Sequence, residues 1–223
     1  MSTARDLLIV ALGVPSGRPV GQGDLSLALA GAELVDLISA EAVSLDDDRI
    51  VPGLRPATGD RLLDEASTAL VRQTPYESVE DWLWSRGRGL AASYADELQA
   101  REPDSGSWHH RWLPRRGQDD TPPDTPERRH AAERWASREP VLAGLAAALG
   151  IPEGAAERGP QDVPAQEQAP QDLPAAEQDA RDLPGDAVVT VLAAVNHALT
   201  ELEAVRQRRR IEEDAFDNVW RAP

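Results

Sequence analysis

Cysteine is absent from the 223-residue chain, which excludes a disulfide framework, a thiolate nucleophile and any cysteine-ligated zinc or iron–sulfur centre. Lysine is absent too. All 23 basic residues are arginine, so Schiff-base chemistry and lysine-dependent phosphate loops are excluded. Long apolar runs are missing: the longest, Val141 to Ile151, has eleven residues, whereas a helix crossing a bilayer needs about 20. The opening run Leu7 to Val14 follows Asp6 and leads into Pro15-Ser16-Gly17 without a small-residue cleavage pattern. No secretory leader is expected, and the protein is expected in the cytoplasm. Positive charge is scarce. With 39 acids against 23 bases the formal charge is −16, the wrong sign for general nucleic-acid binding, which depends on neutralising phosphates.

What is present divides unevenly along the chain. A ten-residue repeat runs through the stretch after Ile151: Pro160-Gln161-Asp162-Val163-Pro164, Pro170-Gln171-Asp172-Leu173-Pro174 and Ala180-Arg181-Asp182-Leu183-Pro184. From Pro152 to Asp186, nine acids against two arginines give −7 and leave −9 for the remainder. Too little of it is apolar to offset the entropy of ordering it, so residues 152–185 read as a disordered acidic, Pro-rich insertion. It divides one domain into a first part, 1–151, and a C-terminal helix, 186–220.

The folded parts read as mainly helical. Leu7 to Leu12 is a short apolar helix or strand. Asp24 to Ile38 places Leu25, Ala28, Leu29, Ala32, Val35 and their neighbours on a wide apolar helical face. Two β-prone runs, Ala42 to Leu45 and Arg49 to Val51, flank Asp46-Asp47-Asp48 and predict a hairpin. Asp60 to Gln73 has Leu62, Leu63, Ala66, Ala69 and Leu70 at helical spacing, with Pro75 as a stop. Ser78 followed by Asp81 reads as a helix cap, and the helix carries Trp82, Leu83 and Trp84. Gly89 to Ala100 begins another. Glu127 to Leu149 reads as one or two helices with Pro140 at the break. Asp186 to Trp220 keeps helical spacing from Val188 through Val205.

Catalytic constellations are thin. His109 and His110 are adjacent and diverge on regular structure, and neither an H-E-x-x-H nor a G-x-S-x-G pattern occurs. Asp46-Asp47-Asp48 reads as a solvated turn before it reads as a cation site. The pair Asp64-Glu65 is expected to meet arginine. The chain is therefore read as a non-enzyme, with no metal and no cofactor implied. Three arginine clusters stand out. Arg86 and Arg88, interleaved with Gly87 and Gly89, either hold a phosphate or form an ordinary helix connection. Ser105 to Gln118 contains no acid and places Trp108, Arg111, Trp112, Arg115 and Arg116 together, a pairing suited to a membrane–water boundary or to packing on the helices beneath. Arg206, Arg208, Arg209 and Arg210 precede Glu212, Glu213 and Asp214 and are expected to pair with them.

Ala57-Thr58-Gly59-Asp60-Arg61-Leu62-Leu63-Asp64-Glu65-Ala66 closely resembles the T-G-D-x-L-L-D-E-A segment of the Golgi phosphoprotein 3 (GPP34) family. Asp6 to Leu12 is similar to that family's first helix, Ala30 to Leu37 to its second, and Ser78 to Leu83 to a later helix start. Val191 to Trp220 resembles the last helix of bacterial members. The resemblance covers about 1–151 and 186–220. It implies an all-α fold with small β-hairpins and a peripheral membrane protein that binds phosphatidylinositol 4-phosphate. The family's headgroup pocket is built from a Trp and an Arg on the second helix and two Arg three apart on a later one. Here those positions carry Gly21, Ala30, Arg88 and Ala91, with Arg86 as a neighbouring substitute, and the family's membrane hairpin corresponds to the Trp108–Arg116 region.

The resulting expectation is an anionic-phospholipid-binding protein, cytoplasmic and peripheral on the cytoplasmic membrane face. Arg86 and Arg88 are its headgroup residues; Trp108, Arg111, Trp112, Arg115 and Arg116 are its interface residues. The alternative is a cytoplasmic adaptor or scaffold that has lost headgroup specificity, with the acidic insertion docking a protein partner. A winged-helix nucleic-acid binder is disfavoured because the wing turn would present Asp46, Asp47 and Asp48 to phosphate.

Overall fold

The computed structural model describes residues 2–14, 20–54, 59–101, 124–152 and 185–220. Among these are eight helices and one hairpin, in the order α1 (Thr3–Gly13), α2 (Gln22–Ser39), β1 (Val43–Asp46), β2 (Arg49–Pro52), α3 (Arg61–Ala69), α4 (Val79–Arg86), α5 (Leu90–Arg101), α6 (Pro126–Ala136), α7 (Pro140–Ala148) and α8 (Asp186–Trp220). The all-α class with a small hairpin is thus the observed one. The repeat within 152–185 and the Trp108–Arg116 region lie outside the described residues.

Helix α2 is the axis of the domain. Leu25 and the run Leu27 to Val35 are buried on all sides, as expected of a helix that is apolar around its circumference. Helices α1, α4, α5 and α8 pack around it. Gly31 lets α8 come close: a Cβ there would lie 2.4 Å from Val195 Cγ2, with Leu83 of α4 and Val191 at 3.7 Å. The three helices therefore meet at a residue with no side chain.

The Leu7–Leu12 run is helical. Its first turn is capped from a distance, with Asp36 Oδ1 accepting the Thr3 N–H (3.1 Å) and Oδ2 the Ala4 N–H (3.4 Å). The hairpin pairs Leu45 with Ile50 and Asp46 with Arg49. Its turn needs a left-handed residue, and Asp47 supplies it at φ 52°, a conformation Asp tolerates better than most. The hairpin is stitched to the start of α4 by Ile50 N–H to Glu77 O and Val79 N–H to Asp48 O.

Two expectations need correction. Helix α3 ends at Ala69 rather than Gln73, because Leu70 turns extended (φ −58°, ψ 136°) and is buried; packing overrides the helical spacing. Also, α8 has a stretch, Asp186–Glu213, long and apolar enough to cross a membrane by length and composition. Counting uninterrupted apolar runs misses it, because isolated polar residues interrupt a stretch that is apolar on average. In the fold, Val191, Val195, Ala198 and Leu199 of this helix are buried, and α8 packs on α2, α4 and α7. Pro140 does mark a break: α6 and α7 are separate, and Glu139 caps α7 by accepting from Val141 and Leu142 N–H.

Candidate functional site

The Gly59–Ala66 block is a structural device. Gly59 takes a left-handed φ of 72°, which a side chain would strain. Asp60 then caps α3, its Oδ1 accepting from Leu62 N–H (3.1 Å) and Leu63 N–H (3.4 Å). Its Oδ2 accepts from Arg5 Nη2 at 2.9 Å and from Ser2 Oγ at 3.0 Å. Leu62, Leu63 and Ala66 enter the core. Arg61 pairs with Glu65 and with Glu97, and Glu97 also accepts from Arg5 at 3.0 Å. So Glu65 meets arginine as expected, and every described side chain of this block that forms these contacts is used in holding α1, α3 and α5 together.

A second polar cluster sits deeper. Glu33 of α2 is fully buried, and Arg86 of α4 reaches it with Nε at 2.7 Å and Nη2 at 2.9 Å. The same Nη2 donates to Leu62 O at 2.9 Å, and the Tyr94 hydroxyl donates to Glu33 Oε1 at 3.0 Å. Burial pushes the Glu33 carboxyl above its ordinary value, opposed by the hydrogen bond and charge of Arg86 and by Tyr94. For Arg86 itself, burial pulls toward the neutral form, but Glu33 outweighs it and holds the guanidinium more firmly charged. Burial, then the Glu33 charge, pushes the Tyr94 phenol up.

Arg86 is thus turned inward, with 16% of its side chain exposed. Arg88, two residues on, is exposed and forms no ion pair among the described residues. The turn that carries it is packed tightly. A Cβ on Gly87 would lie 2.5 Å from Leu83 O and 3.4 Å from both Leu27 Cδ2 and Ser26 O. Gly89 adopts φ 72°, and Ala91 N–H donates to Ser26 Oγ at 3.1 Å. The two expected headgroup arginines therefore do not converge: one balances a buried carboxylate, and the other stands in solvent over the first turns of α2. Trp108, Arg111, Trp112, Arg115 and Arg116 lie outside the described residues.

The positions carried over from the pocket are filled by packing. A Cβ on Gly21 would meet Asp24 Oδ2 at 2.3 Å, with Arg206 Nη2 at 3.5 Å. Ala30 is fully buried, and its carbonyl accepts from Trp82 Nε1 at 3.1 Å. Ala91 is fully buried as well.

Arg206 is the residue sequence reasoning placed wrongly. It does not pair with the acids that follow it. Its Nη1 donates to both carboxylate oxygens of Asp24, at 2.7 and 2.8 Å, while Arg210 meets Glu203 at 2.9 Å. On a helix, Glu203 stands one turn or two before these arginines and on their face, whereas Glu212 is two residues from Arg210 and points elsewhere. The Asp24 contact spans 182 residues, and no local signal reveals it. Arg206 thus sits at the first turn of α2, and the turn that carries Arg88 packs on Ser26 and Leu27 farther along the same helix.

A third ion cluster joins α1 to α6 and α7. Arg134 reaches Asp6 at 2.6 Å and Glu139 at 2.9 Å, and His130 lies 3.8 Å from Asp6. A shallow depression farther along α8 is lined by one helix face, Arg209, Glu212, Glu213 and Phe216. Asp46, Asp47 and Asp48 are exposed at the hairpin turn, and Asp48 lies 3.5 Å from Arg49.

The family model described as Golgi phosphoprotein 3 (GPP34) matches residues 4–202. No curated protein and no solved structure matches the chain.

Proposed function

The chain belongs to the Golgi phosphoprotein 3 (GPP34) family, and from that membership we propose that it is a peripheral protein of anionic membrane surfaces that binds phosphorylated lipid headgroups such as phosphatidylinositol 4-phosphate. It acts by binding, not catalysis, at the cytoplasmic face. The observation that carries the residue assignment is the exposure of Arg88 on a glycine-flanked turn over the start of α2. Arg206, held by Asp24 at the same end of α2, adds a second guanidinium. Arg86 belongs to this reading as the residue that fixes the turn from below. Trp108, Arg111, Trp112, Arg115 and Arg116 supply the interfacial contact.

The energetics suit reversible association. Each basic residue near an anionic surface contributes about 1 kcal/mol, so a handful of arginines gives weak, salt-sensitive binding that must overcome the net charge of −16. One observation favours the second reading, a cytoplasmic adaptor. Gly21, Ala30 and Ala91 stand, tightly packed, where the resemblance expects pocket side chains.

Flotation of the full chain separates the two. Neutral vesicles, vesicles with phosphatidylserine, and vesicles with phosphatidylinositol 4-phosphate at matched charge are compared, for wild type and for Arg88→Ala. The lipid reading expects preference for the phosphoinositide and about fivefold weaker flotation on loss of Arg88, the equivalent of about 1 kcal/mol. Equal binding to both anionic vesicles reduces the reading to a basic surface contact. Absence of flotation with every vesicle removes it and leaves the adaptor.

A further inference from the structure

We propose that Glu80, His197 and Glu201 form a binding site for a divalent transition-metal ion of the zinc type, seated across the seam between α4 and α8. The ligand-capable atoms of these three side chains all lie within 4.8 Å of one another, and all three residues are exposed. His197 and Glu201 stand four residues apart on α8, one above the other on one face. Glu80 comes from the first turn of α4. Zinc bonds of 2.0–2.2 Å place tetrahedral donors about 3.4 Å apart. Rotation of exposed side chains closes that difference with no movement of backbone.

A second observation points to a cation. Several acids at the helix contacts of the described fold are matched with arginine: Glu33 with Arg86, Asp60 with Arg5, Asp24 with Arg206, Glu139 with Arg134 and Glu203 with Arg210. Glu80 and Glu201 form no ion pair or hydrogen bond among the described residues, and neither does His197. Two carboxylates are thus held within 4.8 Å of each other, beside an imidazole, with no basic side chain between them. The backbones that carry them are fixed, so both carboxylates stay within reach of one shared cation. Val79 and Leu83 fix α4 on either side of Glu80, and Val195 and Ala198 fix α8 beside His197, all of them buried. The close approach at Gly31 locks Leu83 and Val195 over α2.

The donor set selects the ion. An imidazole nitrogen favours zinc, nickel, copper or iron over magnesium and calcium, which prefer oxygen alone. Three protein ligands leave a position for water. The ion's structural effect is to bolt α8, which follows the undescribed residues 153–184, onto α4. This inference is independent of the lipid reading.

The test uses untagged, chelator-stripped full-length protein, titrated with zinc chloride by calorimetry and followed by thermal unfolding, with magnesium as the comparison. One zinc per chain and a raised unfolding midpoint are expected, with no midpoint change from magnesium. His197→Ala should weaken zinc binding by at least about tenfold, the lower end of what is lost when even an outer partner of a ligand is removed. Glu80→Gln should abolish the rise in midpoint, because it removes the α4 ligand. Glu203→Gln, on α8 but outside the cluster, should bind as wild type does. The proposal is overturned if zinc fails to bind saturably at micromolar concentration. It is equally overturned if His197→Ala and Glu80→Gln bind as wild type does, which would assign the zinc to His109, His110 or His130.

Discussion

Replacing Arg86 with alanine isolates the electrostatics of the interior. Glu33 is fully buried, and Arg86 supplies two of the three hydrogen bonds that reach its carboxylate. Removing one partner of a buried ion pair typically costs 3–5 kcal/mol, because the remaining charge is left without compensation. Arg86 also donates to Leu62 O, so the upper half of that range is expected, about 4 kcal/mol. At 2–4 °C per kcal/mol for a chain of this size, the unfolding midpoint should fall by about 8–16 °C. The assay is thermal and urea unfolding followed by circular dichroism, repeated across pH. Burial already raises the Glu33 carboxyl above its ordinary value of about 4.5, and loss of Arg86 raises it further. A folded-state value above the unfolded one means that the folded state binds more protons, so stability falls as pH rises from about 4.5 through the raised value. The Arg86→Ala deficit should therefore be largest near neutral pH and shrink as pH falls toward 4.5. The double variant Glu33→Gln/Arg86→Met removes both charges and keeps an acceptor for Tyr94; it should recover more than half of the loss. A deficit below about 1 kcal/mol, the range of an exposed pair, would refute the reasoning. If such a variant also lost phosphoinositide binding, Arg86 would be a headgroup ligand and not a support.

Three further outcomes follow from the same contacts. Asp60→Ala removes the α3 cap and one carboxylate of Arg5, while Glu97 remains; a loss of about 2–4 kcal/mol is expected in urea unfolding. Gly31→Ala places a Cβ 2.4 Å from Val195 Cγ2 and should cost about 1–3 kcal/mol as overpacking, with Gly31→Ala/Val195→Ala recovering part of it. Arg88→Ala, on an exposed side chain, should leave stability within about 0.5 kcal/mol of wild type while weakening flotation, which separates binding from folding in one variant.

Much of the fold was legible because its signals are local. The Ser78 cap is observed, with Asp81 N–H donating to Ser78 Oγ at 3.0 Å. So are the hairpin around Asp47, the break at Pro140 and the bounds of α8, Asp186–Trp220. Errors arose where tertiary packing decided. Leu70 leaves α3 to enter the core, and nothing in its helical spacing announces that. The polar interior was illegible for a related reason. Glu33 lies in an apolar helical stretch and is buried although charged; its partner Arg86 is 53 residues away. Arg206 shows the same limit, since the acids beside it in sequence diverge from it on the helix while Asp24 reaches it from α2. Arg86 and Arg88, adjacent to the eye as a phosphate motif, point to different environments because α4 ends between them.

These contacts bear on what the family resemblance transmits. The segment that carries the clearest resemblance is the one around Gly59-Asp60, and its described residues are engaged in a left-handed turn, a helix cap, an ion pair with Arg5 and three core side chains. Such a segment is required by the fold whatever the molecule binds. The positions that the resemblance assigns to headgroup specificity lie elsewhere, at Gly21, Ala30, Arg88 and Ala91. Family membership therefore transmits the scaffold strongly and the ligand weakly. On the proposed lipid reading, recognition would depend on what this chain's own surface offers near the start of α2: one exposed arginine on a rigid turn, and a second drawn in from α8 by Asp24. If α8 is released from α2 and α4, Arg206 leaves with it and Arg88 remains. On the proposed lipid reading, binding is accordingly expected to be coupled to the docking of the last helix. Asp24→Ala, which frees Arg206 while leaving Arg88 in place, should weaken flotation with phosphoinositide vesicles even though it removes a negative charge. A gain in flotation, the result bulk charge alone would give, would refute the coupling.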